Sequence, residues 1–268
     1  MEELARTHSP YPDRRRRAEQ LRGRQPYAAE VLTLYLALLD VQEEVFQAVH
    51  ERPPRAGSVS AYALERVLPR VLEVTLAAGP QKLAEAVIGR YHSADLDDLV
   101  SRWLRFGEQS LTDRYLARAA LAPALEALPS ESLAAICGGA SGAASQSRCP
   151  RCAGLPQLSY FAVSGEALVT GPRYLQCARC SHSWVHSRMC CVACGETSAN
   201  RLLIYSEREQ LPHLRVDACD ACRHYLLAVD LRKDAAAIPL VDELAAIPLD
   251  LFAEERGFRK VVPNLMGF

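Results

Sequence analysis

The sequence predicts an α+β protein in which an N-terminal all-helical domain precedes two tandem small β modules. Three observations carry this prediction. Apolar residues recur at helical spacing in the first half of the chain, no cysteine precedes position 137, and eight of the ten cysteines form Cys-x-x-Cys pairs that repeat at a fixed period. A chain of 268 residues is long enough for two domains, at roughly 150 residues per domain.

The composition excludes several classes of protein. A net charge of -1 argues against a protein whose main task is to bind nucleic acid electrostatically. Every apolar run is far shorter than the ~20 residues of a membrane-spanning helix, so no membrane insertion is expected. The first ten residues, MEELARTHSP, lack the apolar segment of a secretory signal. We therefore expect a cytoplasmic protein.

The first 24 residues are polar and rich in arginine, with four arginines in a row from Arg14 to Arg17. Basic runs at chain termini are usually solvated. We therefore expect residues 1–24 to form a polar arm, which is either the frayed start of a helix or a segment that binds a partner.

Residues 25–137 have the pattern of an all-helical domain. A long amphipathic helix follows Pro26, with one buried stripe from Val31 to Val49, and Pro53 ends it. Further helices are expected at residues 61–77, 81–89, 95–106, 111–128 and 131–137. The expected N-caps are Asp95 and Ser130. No group of residues in this domain suggests catalysis, so we expect no catalytic residue in it.

A flexible linker is expected at residues 138–147, whose sequence GGASGAASQS is small and polar. The domain boundary is therefore placed there. Beyond it we expect a first cysteine module at residues 148–188, a second at residues 189–232 and a helical tail at residues 233–268.

An internal repeat is the most informative feature of the C-terminal half. An ungapped shift of 42 residues places Cys149 on Cys191, Cys152 on Cys194, Cys177 on Cys219 and Cys180 on Cys222. The same shift pairs Arg173 with Arg215 and His182 with His224. Each copy has three β-prone runs around its two Cys-x-x-Cys turns. The pattern predicts two copies of a small antiparallel sheet whose turns converge at one end.

The spacing of the cysteines predicts two metal sites of four thiolates each, because two Cys-x-x-Cys turns can surround one ion tetrahedrally. The first site is assigned to Cys149, Cys152, Cys177 and Cys180. The second is assigned to Cys191, Cys194, Cys219 and Cys222. An alternative joins the first turns of the two copies around one ion. Gly195 follows the second cysteine of its turn, where a positive φ is often needed.

Four thiolates suit both zinc and iron. Zinc would make the sites structural, whereas a single iron would make them rubredoxin-like and able to cycle one electron. A thioredoxin-like dithiol or a disulfide framework fits four repeated pairs less well. Four residues near the sites have no assigned role: Cys137, Cys190, His182 and His224. The two cysteines are expected to be ordinary thiols, and the histidines to be surface or packing residues, to cover the sites or to bind a partner.

Several segments resemble those of a known family, the FdhE-type formate dehydrogenase accessory proteins. They are CPRCAGLPQLSYF from Cys149, GPRYLQCARCSHSWVHSR from Gly171 with the turn CVACG after it, ACDACRHYLLAVDL from Ala218 and VDELAAIPLDLFAEERGF from Val241. The resemblance covers roughly residues 147–260 and all eight paired cysteines, and the helical domain agrees in character. The ending VVPNLMGF departs from the Asn-Pro-Phe-like ending expected for the family.

The resemblance implies a function that the residues alone do not. It implies rubredoxin-like modules that bind two metal ions per chain, with iron favoured and zinc possible. It also implies a cytoplasmic chaperone for the maturation of respiratory formate dehydrogenases. Such a protein contacts the catalytic subunit of the enzyme before export and has no substrate of its own.

Two other functions stay open on the sequence. A zinc ribbon that binds nucleic acid usually has a basic surface, yet the segment from Cys149 to Cys222 contains seven arginines, no lysine and six acidic residues. An electron-transfer protein would need a redox-active metal with access to solvent. No nucleotide-binding fingerprint accompanies the cysteines.

Overall fold

The computed structural model describes residues 9–93, 95–105, 107–137, 146–162, 171–207 and 209–267. The chain divides into two compact units, Met1–Gly139 and Ala140–Met266. The first unit is helical and the second contains one sheet and both cysteine groups, so the expected α+β class is confirmed. Most of the expected linker, residues 138–145, lies outside the described residues, as do residues 1–8 of the expected arm.

The helices of the first unit follow the expected order. They are α1 (Tyr11–Arg24), α2 (Ala29–Glu51), α3 (Val59–Tyr62), α4 (Leu68–Ala78), α5 (Gln81–His92), α6 (Leu96–Leu104), α7 (Leu111–Ala127) and α8 (Ser130–Cys137). A π-helical turn at Ala63–Val67 joins α3 to α4. Within the described ranges, no helix combines the length and the apolar composition that crossing a membrane requires.

Helix α2 is the centre of the helical unit. It packs against α1, α4 and α7. The buried surface of α2 is wider than the single stripe expected from the sequence, because Leu34 and Leu38 are also fully buried. Neighbours on several sides cover more of the helix than one amphipathic face would require. The amide Nε2 of Gln42 donates to the buried Ala119 carbonyl of α7 at 3.2 Å, which fixes the two helices in register.

The expectation of a solvated N-terminal arm is wrong for residues 11–24. They form α1, in which Tyr11, Arg14 and Arg17 are buried. Arg14 Nη1 donates to Glu126 of α7 at 2.9 Å. A buried arginine is tolerated when a carboxylate pairs with it, so this basic run is partly internal.

Two of the helix starts differ in detail from expectation. Asp95 caps α6 as expected, and its side chain accepts a hydrogen bond from Asp98 N at 2.9 Å. Ser130 is the first residue of α8 rather than the residue before it. Ser110 caps α7 by accepting from Asp113 N at 3.0 Å, a cap that was not predicted.

Among its described residues, the second unit contains a seven-stranded sheet. Its strands are β1 (Pro156–Phe161), β2 (Arg173–Cys177), β3 (Ser183–His186), β4 (Leu202–Ser206), β5 (Leu214–Cys219), β6 (His224–Asp230) and β7 (Arg259–Lys260). Each copy of the repeat contributes three antiparallel strands, as expected. The order β3-β2-β1-β6-β5-β4 shows that the two copies form one continuous sheet, joined where β1 runs parallel to β6.

The 42-residue spacing between equivalent positions of the two copies does not hold at their first strands, β1 and β4. Leu158 of β1 pairs with Gln176, and the equivalent pair in the second copy is Leu203 with Ala218. Gln176 and Ala218 are 42 residues apart, whereas Leu158 and Leu203 are 45 apart. The second copy therefore has three more residues between its first cysteine turn and β4.

The C-terminal segment, expected to be a helical tail, also contributes a strand to the sheet. It forms α9 (Pro239–Asp242) and α10 (Ile247–Glu255), and then β7 pairs in parallel with the start of β6. Leu249 and Ala253 of α10 pack on Val216 and Leu227. One face of the second copy is therefore covered by its own C-terminal helix.

A buried ion cluster connects this segment to both copies. Lys260 Nζ lies 2.8 Å from Glu243 Oε1 and 3.1 Å from Asp250 Oδ1, and all three residues are buried. Tyr225 of β6 donates to Asp250 Oδ1 at 2.8 Å, and Gln157 of β1 donates to Glu243. Two carboxylates are tolerated in the interior because a cation and neutral donors share them.

Candidate metal centres

The four Cys-x-x-Cys turns share one backbone conformation. In each turn the residue after the second cysteine has a positive φ: Ala153 at 55°, Ser181 at 53°, Gly195 at 80° and Arg223 at 60°. The prediction for Gly195 is confirmed, and the other three were missed because no glycine marks them. Non-glycine residues avoid this region, so its use in all four turns indicates that the turn geometry is required.

Backbone hydrogen bonds fix these turns. Ala153 N donates to Cys149 O, and Cys149 N donates to Gly154 O, both at 2.9 Å. The first turn of the second copy repeats this pattern, with Gly195 N donating to Cys191 O at 2.9 Å. Each turn therefore presents two sulfur atoms on the same side.

The structure brings the cysteines together in the two predicted groups. Within each group the four Sγ atoms lie within 4.8 Å of one another. In the first quartet, Cys149 Sγ is 3.7 Å from Cys180 Sγ, and Cys152 Sγ is 3.4 Å from Cys177 Sγ. In the second quartet, the distances are 3.8 Å for Cys191 to Cys222 and 3.7 Å for Cys194 to Cys219. The alternative grouping across the repeat is not formed.

These distances fit a tetrahedral metal site. A metal–sulfur bond of about 2.3 Å places the sulfurs of a regular tetrahedron about 3.8 Å apart. Gly154 supports the same conclusion, because a Cβ at this position would lie 2.7 Å from Cys177 Sγ. Each quartet could therefore hold one metal ion. The assignment of the eight cysteines as ligands stays a prediction.

The first quartet is electrostatically suited to a cation. Hydrogen bonds from the thiols of Cys152, Cys177 and Cys180 hold the pKa of Cys149 far below its usual range. Hydrogen bonding to Cys149 raises the pKa of Cys152 and of Cys180. A bound cation would favour the ionised form of these thiols, because metal ligation requires thiolates.

The quartets differ in exposure. All four cysteines of the first are buried. In the second, Cys191 and Cys219 are buried, Cys222 is half-buried and Cys194 is exposed. Solvent therefore reaches the second quartet from the side of Cys194.

The remaining candidate residues lie beside the quartets or away from them. His224 Nδ1 is 2.9 Å from Cys222 O, so this ring contacts the backbone of a cysteine turn. His182 is half-buried, and its carbonyl accepts from Cys177 N at 2.9 Å. Cys190 is half-buried beside the second quartet, and Cys137 ends α8 in the helical unit.

Comparisons with known proteins find relatives of part of the C-terminal half. Residues 189–266 match the model described as FdhE, C-terminal domain. An FdhE homolog of Aquifex aeolicus is 35% identical over 120 residues, which are 45% of this chain and 41% of that protein. An FdhE homolog of Pseudomonas putida is 35% identical over 127 residues, which are 46% of this chain and 39% of that protein.

The resemblance to FdhE-type proteins is confirmed. The segment that matches the FdhE C-terminal domain contains the whole second quartet. The chain spans about two fifths of the length of the curated FdhE relatives that it matches.

A solved structure extends the likeness in fold to the helical unit. The crystal structure of the FdhE protein from Pseudomonas aeruginosa matches 96% of this chain and 94% of its own, with a TM-score of 0.65 and 23% sequence identity. A helical unit followed by a sheet unit is therefore a fold that this chain shares with that FdhE protein. At this identity, the match concerns the fold.

Proposed function

We propose that this chain is a cytoplasmic accessory protein for the maturation of respiratory formate dehydrogenase. It binds the catalytic subunit of that enzyme and catalyses no reaction of its own. The observation that carries the proposal is the match of residues 189–266 to the FdhE C-terminal domain, because this segment contains a complete and preformed quartet.

The proposal includes two metal ions per chain, one in each quartet. Iron in a rubredoxin-like site is favoured by the family resemblance, and zinc suits the same four thiolates. A metal ion in either quartet would act by holding two Cys-x-x-Cys turns together. The protein residues would then present a fixed surface around each site.

The size of each copy explains why binding would depend on the metal ions. Three short strands bury too little apolar surface to hold their shape alone, so a cross-link at the cysteine turns is needed. A docking surface that spans both copies is preorganised when both quartets are filled. Preorganisation lowers the entropy cost of association.

The test is capture of the catalytic subunit by wild type, Cys149→Ser and Cys191→Ser, with formate dehydrogenase activity measured in cells that carry each variant. We expect capture by wild type, and at least a tenfold loss of capture in each variant, a change of about 1.4 kcal/mol. Equal capture and full activity in both variants would contradict the metal-dependent mechanism. Wild type that binds DNA or RNA tightly, and not the subunit, would favour a nucleic-acid-binding zinc ribbon.

One observation favours a second candidate function, electron transfer. Such a protein needs a metal site within reach of solvent or of a partner, and Cys194 in the second quartet is exposed. Metal analysis and an optical spectrum of protein purified anaerobically from its native host distinguish the candidates. A ferric tetrathiolate is red, whereas a zinc site is colourless and supports only the structural role.

A further inference from the structure

A cavity of about 550 Å³, including its open mouth, lies beside the second quartet. Leu203 and Tyr205 of β4 pack into the core beneath α10. Ile204 stands between them and therefore points to the opposite face of the sheet, together with its strand partner Asp217. Both line the cavity, and residues 188–192 form another part of its lining.

Three arginines and one carboxylate line this cavity. Arg215 Nε donates to Asp217 Oδ1 at 2.8 Å, and Arg173 Nη2 lies 3.4 Å from Asp217 Oδ2. Arg188 is the third arginine. Asp217 is the only carboxylate among the described lining residues, so two guanidinium groups share it. The two arginines that the repeat places in equivalent positions thus converge on one acidic residue.

Arg173 is buried without enough acceptors. Its side chain is only 5% exposed. Its Nη1 donates to the carbonyl of Cys190 at 3.3 Å, but its Nε has no hydrogen-bond partner. Burial lowers the pKa of Arg173, the main cause being desolvation. A buried guanidinium that shares its one carboxylate with a second arginine is costly, so a further anionic acceptor in the cavity would stabilise this arrangement through its charge.

The cysteine sulfurs in the cavity lining do not supply that acceptor. Cys191 and Cys219 line the cavity, yet sulfur accepts hydrogen bonds weakly, and no hydrogen bond joins Arg173 to either. A carboxylate oxygen is the acceptor that matches a guanidinium best, because two parallel hydrogen bonds can form.

Apolar side chains are exposed at the same place. Met189 is 52% exposed and Ile204 is 59% exposed, and both line the cavity. Among the described strands, β4 pairs only with β5, so it is an edge strand of the sheet. An exposed edge can pair with an extended peptide, and adjacent pockets then select its side chains.

We propose that this cavity binds an extended segment of a partner protein in which an acidic side chain stands next to an aliphatic one. The carboxylate pairs with the guanidinium groups of Arg173 and Arg188, and the aliphatic side chain packs between Met189 and Ile204. The identification of the partner as the catalytic subunit rests on the proposed function. The predicted chemistry of the bound segment rests only on the residues that line the cavity.

The first test uses a peptide and no partner protein. The zinc-loaded full chain, labelled with ¹⁵N, is titrated to millimolar concentration with N-acetylated, C-amidated Leu-Asp-Leu, and separately with Leu-Asn-Leu. We expect saturable shifts of amide signals near Met189 and Ile204, with about tenfold weaker binding of the Asn peptide because it lacks the charge. Equal binding of both peptides, or no saturable shift with either, would overturn the proposal.

Matched variants show whether the cavity itself is responsible. Arg188→Gln and Ile204→Asp alter exposed positions in the cavity, so folding should be preserved, and each should weaken binding of the Asp peptide at least several-fold. The controls are Arg256→Gln and Leu251→Asp, which alter α10 and the turn after it. Binding unchanged by the cavity variants, or lost equally in the controls, would place the peptide elsewhere and overturn the proposal.

The same four variants are then tested for capture of the catalytic subunit. Weaker capture by the two cavity variants alone supports both proposals. Equal capture by all four would overturn this inference and leave the proposed function standing. Peptide binding at the cavity, with no capture of the subunit by wild type, would contradict the proposed function and leave the inference standing.

Discussion

The two cysteine quartets are copies of one site in different surroundings. All four turns have a positive φ after the second cysteine, and the two sulfur pairs measured in each quartet lie 3.4 Å to 3.8 Å apart. The first quartet is nevertheless fully buried, whereas Cys194 of the second is exposed and an arginine-lined cavity adjoins it. The ligand geometry is thus preserved in both copies while the access to it is not.

This difference suggests a division of roles. A buried quartet contributes to the core of its copy, so an ion there acts chiefly on folding. An open quartet is accessible to chelators, electron carriers and partner proteins. We expect the first quartet to determine stability and the second to determine exchange and recognition.

The largest expected effect is the loss of a ligand. Cys177→Ser and Cys219→Ser should each remove one metal ion per chain. Cys177→Ser should lower the free energy of unfolding of the sheet unit by several kcal/mol and by more than Cys219→Ser, because the first quartet is buried. Metal analysis and denaturant unfolding measure both effects, with Trp184 reporting on the sheet and Trp103 on the helical unit.

Cys137→Ser is the matched control for these variants, because Cys137 lies in the helical unit. It should keep both ions. Helical circular dichroism should also persist when either ligand is lost, because none of the eight paired cysteines lies in that unit. Helical signal that disappears in proportion to metal loss would show that the two units unfold together.

The second expected effect concerns the rate of metal release. A colorimetric chelator should remove the ion of the second quartet at least about tenfold faster than that of the first, since Cys194 is exposed and a thiolate there can be displaced first. Release from wild type should therefore be biphasic. Cys219→Ser should abolish the fast phase, and a single phase in wild type would contradict the comparison.

A third effect depends on the packing around one quartet. In Gly154→Ala the new Cβ would lie 2.7 Å from Cys177 Sγ, so the first site should be destabilised by about 1–3 kcal/mol. Gly195→Ala is the control, because no atom lies within 4 Å of a Cβ there and only its positive φ opposes the change. It should cost about 1–2 kcal/mol at the second site. A metal titration that resolves binding at the two sites measures these changes in each variant. Equal weakening of both sites by Gly154→Ala would contradict this prediction.

The smallest expected effect is a gain in stability. Ala153 has a φ of 55°, which glycine adopts more easily. Ala153→Gly should raise the stability of the sheet unit by about 0.5–1 kcal/mol after the entropy cost of glycine in the unfolded chain. Thermal unfolding measures it, and a lower melting temperature would show that the turn is not strained at this residue.

The sequence predicted the helical unit well where its signals were local. Asp95 was identified as a cap because its residue type and position suffice. The burial of Arg14 was not predicted, because it depends on Glu126, which is distant in sequence. Leu34 and Leu38 were likewise missed, since neighbouring helices decide how many sides of α2 are covered.

The same limit applies to the sheet unit. The cysteine spacing predicted both quartets, and the β-prone runs predicted six of the seven strands. The parallel pairing of β1 with β6 and the addition of β7 could not be predicted, because contacts between distant segments decide which strand edges meet. The role of Gly154 is also a tertiary fact, since its neighbour Cys177 arrives from another turn.

The sequence by itself determined the α+β class, the resemblance to FdhE and the identity of the two cysteine quartets. These depend on residue type and short spacing, which the chain carries locally. Only the tertiary structure decided that one quartet is buried and the other open, and that Arg173 and Arg215 converge on Asp217. Burial and convergence depend on which distant segments pack together, so two copies with the same ligand spacing acquire different surroundings.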